Sequence, residues 1–317
     1  MPEGHTVHRL ARVISEEFAG QRVRAQSPQG RFASGAGLID NHVLTGTEAI
    51  GKHLLVHFAP EKDHPPLHTL HVHLGLYGAW SFAADSDSRL AHAIGAPRKR
   101  MGERESDGEA LHDWRATPAT DTTRLRLVGE RALADLVGPA ACELYQGEDR
   151  AALASRLGPD PLRPDDTPKQ FFAAAAKRSS TIGALLMNQA AIAGVGNIYR
   201  AEALFRAGLD PFVPAKEVPE SVLQQMWDDL VHTMRYGERI GRIVTTEPEH
   251  RADPDEFPVP RGESFYVYQR DAKPCRLCGT HIKKAQLDNR TVFWCPTCQK
   301  PRKRKKAWAS ESEWWNV

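Results

Sequence analysis

The sequence predicts an α+β chain of successive units: a β-sandwich or barrel, then a helical domain, then a metal-bound β-hairpin. Three observations carry this. Short β-branched or alternating segments run from about residue 23 to residue 145, whereas the apolar residues of the later segments recur at helical spacing. A Pro- and Gly-rich stretch, LGPDPLRPDD at 157–166, separates the two regimes. Four of the five cysteines then stand in two close pairs. These signals divide the chain into 1–148, 149–262, 263–301 and a basic and aromatic tail, 302–317.

The chain opens MPEGHTVHRL, and Val7, Leu10, Ala11, Ile14 and Phe18 fall at helical spacing before Gly20. Pro2 and Glu3 thus precede or open a helix, where a proline and an acidic residue are ordinary company. HLLVHF, TLHVHLGLYGAW, TTRLRLV and RALADLV read as strands bounded by Gly, Pro and Asp. Between two of them, residues 83–121 are polar, charged and rich in Gly and Pro, which predicts a long mobile excursion. TPKQFFAAAAKR, TIGALLMNQ, NIYRAEALFRAG and ESVLQQMWDDLVHTMRYG read as helices. No internal repeat is present.

With 317 residues and 41% hydrophobic content, the chain can bury two cores. No apolar run reaches membrane-spanning length and the N-terminus lacks a secretory pattern, so the expected compartment is the cytoplasm. The net charge of +2 averages acidic loops with clusters such as PRKRKK at 301–306. An odd cysteine count in a reducing compartment argues against a disulfide framework. Cys142, among apolar residues, is expected to be a small core residue.

The sharpest local signal is Cys275-x2-Cys278, sixteen residues, then Cys295-x2-Cys298, a four-thiolate zinc spacing. Such a closed site leaves no position for a substrate, so one structural zinc is expected, holding a hairpin with Arg290 near its turn. On its own Arg290 reads as a solvated surface arginine. TIGALLMNQAAIAGVGNIYRAEALF reads as helix, glycine turn, helix, with Asn197 near a helix N-terminus suited to phosphate. Lys52 in GKHLL stands at the mouth of a strand. Along 70–74, Leu70, Val72 and Leu74 share one face and Thr69, His71 and His73 the other, which predicts a polar, cleft-facing strand rather than a metal site.

Taken together, PEG, GKHLL, HLGLYG, GPDPL, GVGNIYRAE and the hairpin ending FWCPTCQ resemble the formamidopyrimidine-DNA glycosylase and endonuclease VIII family of base-excision repair. The resemblance covers nearly the whole chain and is strongest to the actinobacterial endonuclease VIII-like branch. It implies a β-sandwich domain, a helix-two-turn-helix domain and a zinc-finger hairpin, with DNA bound in the cleft between the domains. Pro2, once Met1 is removed, would offer a secondary amine that attacks the sugar C1′ and forms an iminium. An ordinary α-amine has a pKa of about 8, so a neutral fraction is available. Glu3 matches the general acid/base. Lys52 matches the lysine that binds phosphate and assists β-elimination, Arg290 the hairpin arginine that grips the flanking phosphate and assists δ-elimination. His73 and Asn197 match phosphate-contacting positions, and Leu76 the apolar wedge that fills the space left by an extruded nucleotide.

The chain departs from the guanine-specific branch: residues 241–271 do not resemble its 8-oxoguanine loop, and LVGERALADLVGP replaces its DxRRFG-like stretch. The resemblance therefore implies a bifunctional DNA glycosylase and abasic-site lyase that prefers oxidised pyrimidines. Its partner would be DNA with oxidised bases or abasic sites, and the protein a bacterial, nucleoid-associated monomer without membrane contact. The alternative is a non-catalytic zinc-hairpin protein that only binds damaged or abasic DNA. A pure binder has no need of the Pro2 amine beside Glu3 and Lys52.

Overall fold

The computed structural model describes residues 2–84, 93–95 and 114–300. Helix α1 (Gly4–Phe18) buries Leu10, Ile14 and Phe18, and the chain reverses at Gly20, whose φ of 81° suits glycine. Nine strands follow among the described residues: β1 (Arg22–Gln26), β2 (His42–Ile50), β3 (His53–Ala59), β4 (His68–His73), β5 (Ala79–Ala84), β6 (Ala93–Gly95), β7 (Thr123–Val128), β8 (Ala132–Val137) and β9 (Ala141–Tyr145). Their hydrogen-bonded order is β6-β5-β8-β7-β1-β2-β3-β4-β9. Strand β1 belongs to both halves: Arg22 and Val23 pair with β2, Arg24 to Gln26 with β7. Leu54, Val56, Phe58, Leu70 and Val72 of one half meet Trp80, Phe82, Leu125, Leu127 and Leu136 of the other in a single core. That is the sandwich the alternating pattern predicts, with α1 packed into it.

Three local features differ from the sequence reading. A seven-residue helix, α2 (Ala33–Ile39), interrupts the strands and buries Ala36 and Ile39. Within the 83–121 stretch, β5 runs on to Ala84, β6 pairs with β5, and Trp114 is buried. Residues 85–92 and 96–113 lie outside the described residues, as do the tail 301–317 and its basic cluster. Cys142 is half-buried at the margin of the core, where burial pushes its thiol up to about 12.

The helical unit comprises α3 (Asp149–Arg156), α4 (Lys169–Lys177), α5 (Ile182–Leu185), α6 (Asn197–Arg206) and α7 (Glu220–Ile240). Leu204, Leu223, Met226, Leu230 and Met234 form its core. TIGALLMNQ, expected as a full helix, gives only the four residues of α5, capped by the Thr181 side chain. The chain then turns into the GVGN loop. Helix α1 packs against α7, and Arg9 donates to the carbonyls of Glu238 and Arg239 at its C-terminal end. One helix thereby ties the sandwich to the helical unit.

The 157–166 stretch is a clamp rather than a slack linker. Asp160 is wholly buried; its Oδ2 accepts from the Gly51 N–H at 2.7 Å and contacts His8 Nε2 at 2.8 Å, while Oδ1 accepts from the Leu162 N–H. Strands β10 (Lys283–Leu287) and β11 (Arg290–Trp294) form the C-terminal hairpin, whose turn holds Asp288 and Asn289 at φ of 49° and 59°. Glu202 of α6 fastens this unit: its carboxylate accepts the N–H groups of Tyr266, Val267 and Tyr268. Gln299 does the same from the other side, accepting from the Cys295 N–H and donating to the Leu209 carbonyl.

Candidate active site

Glu3 is fully buried, and a buried carboxylate needs hydrogen-bond donors. It finds them at the N-terminus of α6, accepting from the N–H groups of Gly196 at 2.9 Å, Ile198 at 2.8 Å and Tyr199 at 3.3 Å. The Gly4 N–H donates to the Gly194 carbonyl at 2.8 Å, so PEG and GVGN interlock. Both glycines of the loop are demanded by this fit. Gly194 has φ of 82°, and a Cβ on Gly196 would stand 2.4 Å from the Glu3 carboxyl carbon. Burial raises the Glu3 carboxyl above the usual carboxylate range, against the opposing pull of Lys52 and the α6 amides.

Lys52 lies at the β2–β3 turn and donates from Nζ to the Val195 carbonyl at 2.8 Å. Burial, with Arg290 nearby, lowers its pKa, and Glu3 works the other way. Gln189 braces the same loop, donating to the Val195 carbonyl and accepting from the Gly194 N–H. The loop Gly194-Val195-Gly196 therefore receives α1, Lys52 and Gln189 together.

Above this junction is a pocket of about 290 Å³. Pro2, Lys52, His73, Leu76 and Arg290 all line it, drawn from the N-terminus, the β2–β3 turn, strand β4, a loop and the hairpin. Met187 and Gln189 also line it, and neither stood out in the sequence because their neighbours read as plain helix. Leu76 is 47% exposed at the tip of a turn closed by the Gly78 N–H to the Leu74 carbonyl. Tyr77 beside it is 82% exposed and adds an aromatic ring to the same tip.

Two expectations change. The α6 N–H groups expected to await phosphate beside Asn197 are filled by Glu3 at Gly196, Ile198 and Tyr199. The Asn197 side chain is buried, donating to the Thr291 carbonyl and accepting from the Arg200 guanidinium. It joins α6 to the hairpin instead of lining the pocket. Nor is the polar face of 69–73 open to the cleft: His71 is buried, and the β3–β4–β9 face is covered where Leu153 of α3 packs on Ile50 and Leu55. Only the His73 end reaches the pocket.

In the hairpin, the sulfur atoms of Cys275, Cys278, Cys295 and Cys298 all lie within 4.8 Å of one another, the one such cluster among the described residues. The Cys275–Cys298 and Cys278–Cys295 separations are 3.8 and 3.5 Å. Tetrahedral zinc with bonds of about 2.3 Å asks for sulfurs about 3.8 Å apart. The donor set fits a single structural zinc ion.

Sequence comparison agrees. Residues 1–135 match the formamidopyrimidine-DNA glycosylase N-terminal domain, 157–248 its H2TH domain and 272–301 the zinc finger found in FPG and IleRS. The chain is 42% identical over 299 residues to Endonuclease 8 1 of Mycobacterium tuberculosis, covering 94% of this chain and 100% of that one. It belongs to the formamidopyrimidine-DNA glycosylase and endonuclease VIII family. Within that family it is also 28% identical to the probable endonuclease 8 2 of Streptomyces coelicolor, over 94% of each chain. The MutM (Fpg) protein of Thermus thermophilus shares the family fold with a TM-score of 0.66 and 26% identity, covering 94% of this chain and 98% of that one. The Lactococcus lactis Fpg, solved with DNA containing an abasic site, has a TM-score of 0.68 at 18% identity, covering 94% of this chain and all of that one.

Proposed function

We propose that this protein is a bifunctional DNA glycosylase and abasic-site lyase of base-excision repair, acting on oxidised bases with pyrimidines preferred. The observation that carries the reading is Pro2 on the wall of a pocket that also contains Lys52 and Arg290, with Glu3 held in the next position. The Pro2 nitrogen attacks C1′ as the glycosidic bond breaks, and the base leaves with a proton. The resulting iminium acidifies the C2′ proton; its loss expels the 3′ phosphate, and a second loss at C4′ expels the 5′ phosphate. Glu3, held above the ordinary carboxylate range by burial, gives and takes the proton at the opening sugar. Lys52 and Arg290 supply positive charge where the phosphates depart. His73 contributes a phosphate contact, Leu76 fills the vacated stack, and Asn197 acts through the hairpin strand it holds.

None of the four cysteines lines the pocket, and the zinc would serve by ordering the hairpin that carries Arg290. A preference for pyrimidines is supported by the absence of guanine-branch motifs in 241–271 and by the likeness to Endonuclease 8 1. No helix of the described residues is long and apolar enough to cross a membrane. We expect a nucleoid-associated monomer. Borohydride trapping on abasic DNA, with mass spectrometry of the cross-linked peptide, tests the reading. The cross-link should map to Pro2 in protein lacking Met1. Full trapping by protein that retains Met1, whose Pro2 nitrogen is an amide, would overturn it.

A further inference from the structure

Histidines crowd the covered face of β3, β4 and β9, and most of them have no part in the chemistry above. His71 contacts Glu143 through Nδ1 at 3.0 Å and His53 Nδ1 through Nε2 at 2.9 Å. Its ring is near-parallel to those of His53 and Tyr145, with centroids 5.1 and 4.6 Å away and interplanar angles of 23° and 24°. The far end of this chain touches the pocket twice. His53 is the residue after Lys52, and its ring sits 4.9 Å from that of His73, its partner in the β3–β4 register.

The proton positions follow from the donor inventory. An ionised carboxylate only accepts, so His71 carries its proton on Nδ1 and presents a bare Nε2. His53 must then donate from Nδ1. Both rings are held in the tautomer that is the minor form of free histidine in water. We propose that Glu143, His71 and His53 form a tautomer-fixing ladder that positions Lys52 and His73 at the lesion pocket. Glu143 and His71 are positioning residues: neither lines the pocket, and they act through the wall behind it. The proposal rests on the function assigned to that pocket.

The ladder also has an acid limit. A second proton on His71 would turn Nε2 into a donor, so His53 would have to present a bare Nδ1 and the tautomer pair of the neutral ladder would be lost. His71 faces His53 on β3, Glu143 and Tyr145 on β9 and the charge of Arg156 on α3. Burial lowers its pKa more than Glu143 raises it, so the ladder is closed at neutral pH and opens on acidification.

The test uses 15N-histidine NMR of the zinc-loaded full chain together with single-turnover excision. His71 and His53 should both show Nδ1–H in the wild type; either ring as Nε2–H overturns the proposal. Glu143→Leu should abolish both signatures and slow excision at saturating DNA by on the order of tenfold, with melting temperature and zinc content kept. Glu143→Gln, which retains an acceptor oxygen, should restore signatures and rate. Unchanged tautomers in Glu143→Leu, or a lost rate that Glu143→Gln does not recover, would refute the ladder. A wild type that fails to form any borohydride cross-link would sink the pocket's assigned function instead, leaving the tautomers to be judged separately.

Discussion

The carboxylate of Glu3 caps a helix that begins nearly two hundred residues downstream, its Oε1 accepting from the Ile198 N–H at 2.8 Å. A residue that reads locally as the start of α1 is structurally the cap of α6. Glu3 thus bears on proton transfer and on the joint between domains. Glu3→Gln keeps the shape and one acceptor oxygen, so base excision should fall by about a hundredfold or more. The amide that replaces one oxygen leaves a buried N–H at the α6 N-terminus without its acceptor, which should cost about 1–3 kcal/mol of stability. DNA affinity should change little, since no phosphate contact is lost. Single-turnover excision and thermal melting measure the two effects, and excision at the wild-type rate would return PEG to a plain helix start.

Lys52→Ala removes a cation from the expected phosphate path and a donor from the Val195 carbonyl. Affinity for abasic DNA should drop, log K should depend on log salt with a slope flatter by about one unit, and strand cleavage should slow. Salt titrations of wild type and variant measure this. An unaltered slope would place Lys52 outside the phosphate path.

Zinc removal should act on the hairpin before the rest of the molecule. Cys275 and Cys295 are part of a small cluster with Phe205, Tyr266 and Phe293, so losing the metal loosens the strand that carries Arg290. Chelated protein should bind abasic DNA on the order of tenfold more weakly while the melting of the sandwich is retained. Unchanged affinity without metal would show that hairpin order is irrelevant to binding.

Stability should fall on acidification. His5 is buried in a T-shaped contact with Tyr199, and burial lowers its pKa from 6.5 to about 3. The folded state holds it neutral while the unfolded state takes the proton, so stability is lost as pH falls from 6.5 towards 3. Replacing His5 by Leu should remove up to about 1.4 kcal/mol per pH unit from that slope, as read from urea unfolding at several pH values. An identical slope in the variant would contradict a buried neutral His5.

The sequence by itself determined what depends on near neighbours. Period-two and period-3.6 patterns declared sandwich and helices because alternate or every third and fourth side chain must meet a core. The cysteine pairs declared their zinc because a C-x2-C turn brings two sulfurs to one ion. Motif order made Pro2, Lys52 and Arg290 legible as candidates, although nothing local says that they share a pocket. The tertiary structure alone decided partners far apart in sequence. Asp160 sat in an apparent linker, yet clamps Gly51 and His8. The amides at the α6 N-terminus looked open to phosphate, yet those of Gly196, Ile198 and Tyr199 are taken by Glu3. His71 looked cleft-facing by alternation, yet lies beneath a face covered by α3, because alternation assigns a side of a strand but not what packs against it. Buried polar groups must find partners wherever the fold brings them, and that matching depends on three-dimensional proximity rather than on spacing along the chain.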